Sequence, residues 1–254
     1  MDDITVEDMM KLQNDNFSIE AEEFLPLLLK HLDRSDVDDA EKQMLVSLID
    51  WDYSFDKDLL APTLYEIWSE EFYKITWDEL YTVDDSLDVL FPRTWRTIAL
   101  LKDTPDNAFF DIHSTPEKEI GKDVVLASFK NMSAKAKDLK AKRKPLKWGA
   151  YKGTQINHLG QIPAFTDFNV PIGGYHHALN AVQKSFGPSW RMIVELGDQV
   201  NAYGIYPGGQ SGNPASKYYN NMVEDWAIGK YYSLNFVEHP DKMRDKELFV
   251  QVFK

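Results

Sequence analysis

The chain has 254 residues, 43% hydrophobic and 27% charged, which suffices for a buried core and excludes a disordered or collagen-like polymer. It contains no Cys, so disulfides, a cysteine nucleophile and thiolate zinc sites are excluded. The net charge of −13 is uneven: residues 1–90 carry 25 Asp and Glu against 6 Lys and Arg, a net of −19 that leaves the remainder at +6, and an acidic half of this kind repels phosphate backbones, so no nucleic-acid partner is expected.

Taken in chain order, Asp3, or Thr5 with Asp8, caps a short helix that runs through Gln13. Ser18 opens a second helix, with Ile19, Phe24, Leu27, Leu28 and Leu32 on its apolar stripe; Pro26 within that stripe implies a later start or a bend. Asp36 or Asp38 opens a third, with Met44, Leu45, Leu48 and Ile49 as its buried face. A long helix from Ala61 to Lys74 follows, Pro62 in its first turn and Leu64, Ile67, Trp68 and Phe72 along one stripe. Residues 86–102 form a further candidate, interrupted at Pro92. Residues 104–115 read as a loop, and Thr115-Pro116-Glu117 as the start of a helix to Lys142. The basic run from Lys130 to Lys147 reads as the solvated end of that helix, where cations suit the C-terminal dipole.

Beyond Pro145, Gly and Pro punctuate short segments. The chain therefore divides by texture into a mainly helical region, 1–145, and a β-rich region with a closing helix, 146–254. Trp190–Leu196 and Val200–Tyr206 are strand candidates joined through Gly197-Asp198-Gln199, a hairpin signal. Tyr218–Lys230 is the closing helix, with Tyr219, Met222, Val223 and Trp226 inward. The expected class is α+β, helices followed by antiparallel strands.

Local catalytic motifs are sparse. Asp50, Asp52, Ser54, Asp56 and Asp58 follow the spacing of a calcium loop, but Phe55 stands where that loop needs Gly and Ala61 where it needs Glu, so a solvated acidic turn is expected. Ser211 follows Gly209, yet Asn213 occupies the second glycine position of a nucleophile elbow. Adjacent His176 and His177, read as extended chain, point to opposite faces, one packed inside and one outside. No cofactor or metal is expected. No window approaches 18 uncharged apolar residues, so no membrane span is expected, and Met1-Asp2-Asp3 lacks the basic and apolar regions of a signal peptide.

Three segments in order, Phe186-Gly187-Pro188-Ser189-Trp190-Arg191, Pro207-Gly208-Gly209-Gln210-Ser211-Gly212-Asn213-Pro214, and Trp226 to Tyr232, resemble the C-terminal end of the penicillin acylase family. Upstream, Trp51-Asp52, Leu64-Tyr65-Glu66 with Trp68, Phe110-Asp111-Ile112, Trp148-Gly149, His158-Leu159-Gly160, Pro163 and Gly173-Gly174 with Asn180 keep the family order. The resemblance implies part of an N-terminal-nucleophile hydrolase, an αββα fold acting on linear amides. In that family a serine heading the β-subunit attacks the carbonyl and its own α-amine is the base; a backbone amide and an asparagine hold the oxyanion. Both lie N-terminal to the region matched, so no catalytic residue transfers.

The resemblance thus implies a C-terminal fragment, inactive alone, whose partner is the missing N-terminal part of the same hydrolase or a second copy of the chain. The substrate of the intact enzyme is a small acylated amide, and the location a periplasmic or secreted one. A stand-alone binding module derived from the family is the alternative. Arg191 and Glu195, on one face of a strand, are candidates for a place behind the active site or for a structural ion pair. Gln210, Ser211 and Asn213 are expected to brace a tight loop through side-chain-to-backbone hydrogen bonds or, alternatively, to line a substrate pocket.

Overall fold

Side-chain caps start the first helices at the residues that the sequence marks. In the computed structural model, which describes residues 3–83 and 87–235, Thr5 caps α1 (Val6–Gln13): its hydroxyl accepts from the Asp8 amide at 3.2 Å and the Asp8 carboxylate accepts from the Thr5 amide at 3.0 Å. Ser18 caps α2 (Ile19–His31), which continues through Pro26. Asp38 and Glu41 form a capping box for α3 (Asp39–Ile49). Ile19 and Ile49, assigned to buried stripes, are exposed, while Leu25 of α2 is buried. The next helix, α4 (Ala61–Thr76), buries Leu64, Ile67, Trp68 and Phe72 as its periodicity requires. Beyond Pro92, α5 (Thr94–Asp103) begins.

The sixth helix, α6 (Gly121–Ala141), corrects the start expected at Thr115. The Thr115 hydroxyl donates to Glu119 at 2.6 Å, and the Glu119 carboxylate also accepts from the Ile112 amide at 3.1 Å. This closes a turn at Thr115 where a helix N-terminus is expected. Asp123 instead accepts from the Ile120 amide at 3.0 Å and sets the first turn at Gly121. A short α7 (Trp148–Lys152) follows.

Contacts divide the described residues into two compact units. Residues 15–187, with α2 to α7, form the first, so residues 146–187 fall with the helical unit. Its core is aromatic. Trp68 packs edge-on to Phe129 at 5.1 Å and donates to the Ser128 hydroxyl at 3.1 Å across α4 and α6. Phe55, fully buried, stacks on Tyr175 at 3.9 Å and meets Trp51 and Trp148 edge-on, each at 5.1 Å. That burial gives the physical role of the residue where a calcium loop would need glycine; around it, Asp52 and Asp56 accept from the Ser54 and Asp58 amides in two local turns.

The second unit comprises α1 and residues 188–235: β1 (Arg191–Glu195), β2 (Asn201–Ile205), α8 (Val223–Ala227) and β3 (Tyr232–Leu234). The strands form an antiparallel sheet in the order β1-β2-β3, with Arg191 opposite Ile205, Glu195 opposite Asn201 and Ala202 opposite Leu234. Pairing stops at Glu195 and Asn201, so the hairpin connection is residues 196–200, longer than the three-residue signal suggested. The closing helix is cut to α8. The Tyr218 carbonyl is taken by the Ser211 amide at 3.0 Å and the Met222 amide bonds the Gly208 carbonyl at 3.0 Å, so residues 218–222 pair with the glycine loop instead of coiling. The class is α+β, as expected: eight helices and one three-stranded antiparallel sheet among the described residues.

Within the first unit the segment 173–180 is pinned from several sides. Gly174 donates to the Phe55 carbonyl at 3.0 Å, Asn180 donates to Asp15 at 2.9 Å, and the Trp148 indole donates to the Gly174 carbonyl at 2.9 Å. Gly174 has φ +88°, and a Cβ there would collide with the Asn180 carbonyl oxygen. Gly174→Ala should therefore cost about 1–3 kcal/mol from backbone strain, with a further loss from the collision. Thermal denaturation checks this, and an unchanged midpoint would show that the segment relaxes freely.

Candidate functional site

A polar cluster of the first unit gathers on the Glu20 carboxylate. Glu20 sits in the first turn of α2, positioned by the Ser18 cap. One of its oxygens faces the hydroxyls of Tyr65, from α4, at 3.5 Å and Tyr175 at 3.4 Å; the other is hydrogen-bonded to Nδ1 of His177. Tyr65 and Tyr175 are buried, and burial first, then the Glu20 and Glu66 carboxylates, holds both phenols well above their ordinary range. They remain hydrogen-bond donors at any physiological pH.

His176 and His177 correct the expectation of opposite faces. The Ala178 amide bonds the Tyr175 carbonyl at 3.0 Å, which closes a turn with the two histidines at its central positions. Both are exposed, and their rings lie 3.9 Å apart. Partial burial of its ring, which lies 4.0 Å from that of Tyr175, pushes His176 down to about 4, whereas the hydrogen bond that His177 donates to Glu20 raises His177. The sequence contained the pair; only the turn put both rings on one side.

Two cavities adjoin this cluster. One, of about 1010 Å³, is walled by Tyr73, Phe91, Pro92 and Trp95, with Glu20 and His177 on its polar side. The other, of about 410 Å³, is bounded by Glu66, Glu70, Tyr151, Lys152 and Tyr175. Burial, reinforced by Glu70, raises Glu66 to about 7 against the lowering effect of a hydrogen bond from Tyr175. Lys152 is pushed down to about 7 by burial. Its ammonium donates to the carbonyls of Gly173, Gly174 and Val182 at 2.5, 3.2 and 3.3 Å. Only the ammonium has three N–H donors to meet all three carbonyls, which opposes the effect of burial, and in this form Lys152 ties α7 to the 173–182 segment.

The five residues singled out in the sequence all belong to the second unit. Arg191 is buried; it donates to the Trp226 carbonyl at 2.8 Å and lies 5.0 Å over the Trp226 ring. Glu195, at the open end of β1, is exposed and accepts from Asn201 across the hairpin at 3.0 Å. Ser211 Oγ accepts from the Asn213 amide at 3.1 Å, Asn213 accepts from the Ala215 amide at 3.0 Å, and Gln210 approaches the Met222 sulfur at 3.8 Å. Arg191 and Glu195 are thus engaged separately, and the three loop residues with their own neighbours. The Glu20 cluster escaped sequence reasoning because its members lie far apart in the chain and each reads locally as a cap-turn acid, a helix residue or a loop residue. No local signal joins them.

The family model described as penicillin amidase matches residues 1–241 of the chain. An acyl-homoserine lactone acylase of Pseudomonas aeruginosa, QuiP, is 30% identical over 160 residues, which cover 52% of this chain and 18% of that protein. Its namesake from Pseudomonas syringae pv. tomato is 33% identical over 145 residues, 51% of this chain and 18% of the relative. The chain thus spans less than a fifth of the length of these relatives. Among solved structures, a thermostable penicillin G acylase from Alcaligenes faecalis aligns with a TM-score of 0.53 and 16% identity over all of this chain and 50% of the other, a likeness of fold.

Two outcomes follow from this geometry. Glu66 binds its proton more tightly folded than unfolded, because its pKa rises from 4.5 to about 7. Its contribution to stability is therefore present below the unfolded value and is lost as pH climbs through about 7. Glu66→Gln should match wild type near pH 4 and exceed it near pH 8 by at most about 3 kcal/mol; melts at both pH values that show no differential gain would contradict the assignment. Arg191→Ala should cost about 2–4 kcal/mol through the lost charged hydrogen bond and ring contact. Arg191→Lys should recover little of that, since an ammonium lacks the planar guanidinium face; denaturant titration of the three proteins checks both statements.

Proposed function

Because the chain belongs to the penicillin amidase family, we propose that it is the C-terminal part of an acylase that hydrolyses the carbon–nitrogen bond of linear amides, and that it does not turn over substrate alone. The observation that carries this reading is the family match over residues 1–241 combined with the small share of the relatives that the chain spans. In the family chemistry stated above, the nucleophile is a serine at the start of the β-subunit and the oxyanion is held by a backbone amide and an asparagine. The chain's hydroxyl nearest to an elbow motif, Ser211, is engaged with the Asn213 amide. What this part supplies is support: the hairpin, held by Arg191 beneath Trp226, and the braced glycine loop.

The partner in this proposal is the remainder of the same hydrolase. The outward face of β1 supports it: Trp190, Met192 and Val194 are 47%, 46% and 41% exposed, whereas Arg191 and Ile193 on the alternate positions are buried. Among the described residues β1 pairs along one edge, against β2, and an edge strand with an apolar face is a surface that another segment covers. Export to the periplasm belongs to the same proposal and is supported by the family alone. Among the described residues no helix is long and apolar enough to cross a membrane.

The purified chain should show no release of amine from phenylacetyl amides, glutaryl amides or N-acyl-homoserine lactones. Co-expression with the polypeptide encoded upstream should restore turnover and bring the two parts down together. Turnover by the chain alone, persisting in Ser211→Ala after rigorous purification, would sink the proposal.

A further inference from the structure

The His176–His177 turn has features that neither the helical core nor an amide-hydrolysing centre elsewhere requires. Two imidazoles occupy the central positions of one turn, both exposed, with ring centroids 3.9 Å apart. His177 does not swing freely, because its Nδ1 is hydrogen-bonded to Glu20, a carboxylate itself fixed by Tyr65 and Tyr175. A histidine bound through Nδ1 to a carboxylate presents Nε2 outward in a set orientation, the arrangement that outer carboxylates give metal-ligating histidines. The backbone beneath the pair is equally fixed, since Gly174 and Asn180 are tied to Phe55 and Asp15. Glu20 and Glu66 both bear on His177 electrostatically and place negative charge beside it, and both histidines border the 1010 Å³ cavity, which leaves room for further ligands.

We propose that His176 and His177 form a two-imidazole site for a divalent transition ion of the Zn²⁺ or Cu²⁺ kind, with Glu20 as the positioning carboxylate. Imidazole suits these ions, whereas magnesium and calcium prefer oxygen donors. With metal–nitrogen bonds of about 2.0–2.1 Å, two imidazoles on one ion have centroids roughly 4.5–5 Å apart. The rings must therefore open by about an ångström, through rotation of His176 about its side-chain bonds while His177 keeps its bond to Glu20. Among the described residues no three His, Cys, Asp or Glu side chains gather as a ligand set, so water fills the remaining positions and the ion stays accessible to a ligand in the cavity. Binding displaces any proton on Nε2 to solvent and leaves the Glu20 hydrogen bond in place.

Calorimetric titration of the full chain with Zn²⁺ alone at pH 8 should give one site. His176→Gln and His177→Gln should each weaken it by at least tenfold, and Glu20→Gln, which keeps the side chain but removes its charge, by about 10- to 100-fold. His176 is exposed and stands outside the Glu20 hydrogen bonds, so its variant should melt like wild type and carries the test if Glu20→Gln or His177→Gln fails to fold. Loaded with Cu²⁺ alone, wild type should show nitrogen hyperfine structure from two imidazoles in its paramagnetic resonance spectrum, and each histidine variant from one. Absence of a defined Zn²⁺ site in wild type overturns the proposal. So does binding that both histidine variants retain, which would assign the ion to other side chains.

Discussion

The helical unit closes around one buried ring. Phe55 stacks face to face on Tyr175 and stands edge-on to Trp51, Tyr65 and Trp148, so segments near residues 50, 65, 148 and 175 meet at a single side chain. Aromatic pairs of this kind add about 0.5–1.5 kcal/mol each beyond the area they bury. Removal of such a ring costs about 3–5 kcal/mol. Because the Phe55 backbone also accepts from Gly174 and bonds to Asn16, the same residue fixes both the packing and the path of the 173–180 segment. The Glu20 cluster depends on that fixation: Tyr175 reaches the carboxylate because its ring is held against Phe55.

A polar network against such a core is expensive unless its members satisfy one another. Tyr65, Tyr175 and His177 meet Glu20, and Tyr175 also serves Glu66. Lys152 receives three carbonyls in place of water. Glu66 is raised by its burial, reinforced by Glu70, which the hydrogen bond from Tyr175 offsets only in part. The second unit handles its own buried charge differently. Arg191 rests on the Trp226 ring and bonds the carbonyl of the same residue, which converts a strand charge into a brace between β1 and α8.

The two faces of β1 express a division of labour. Inward positions hold Arg191 and Ile193, and outward positions hold Trp190, Met192 and Val194, over the small residues Ala202 and Gly204 of β2. The Trp190 ring lies where a Cβ on Gly204 would stand, so the glycine admits the tryptophan. An exposed apolar sheet face suits a second layer better than water does, in keeping with a chain that spans only part of its relatives' length.

The sequence by itself determined the class, the starts of α1 to α4 and the strand pair. Caps are local chemistry: Thr5, Ser18 and Asp38 bond amides two or three residues away and need no tertiary partner. Periodicity likewise placed Leu64, Ile67, Trp68 and Phe72 in the core, and the ordered family segments pointed to the penicillin amidases. Tertiary structure decided whatever depended on distant partners. Glu119 was drawn back to Ile112 and moved the start of α6 from Thr115 to Gly121. The glycine loop took the Tyr218 carbonyl and shortened α8. The union of Glu20, Tyr65 and Tyr175, and the turn that set His176 beside His177, join residues up to 155 positions apart. No local pattern encodes such a meeting, because each side chain acquires its partner only when the core brings their backbones together.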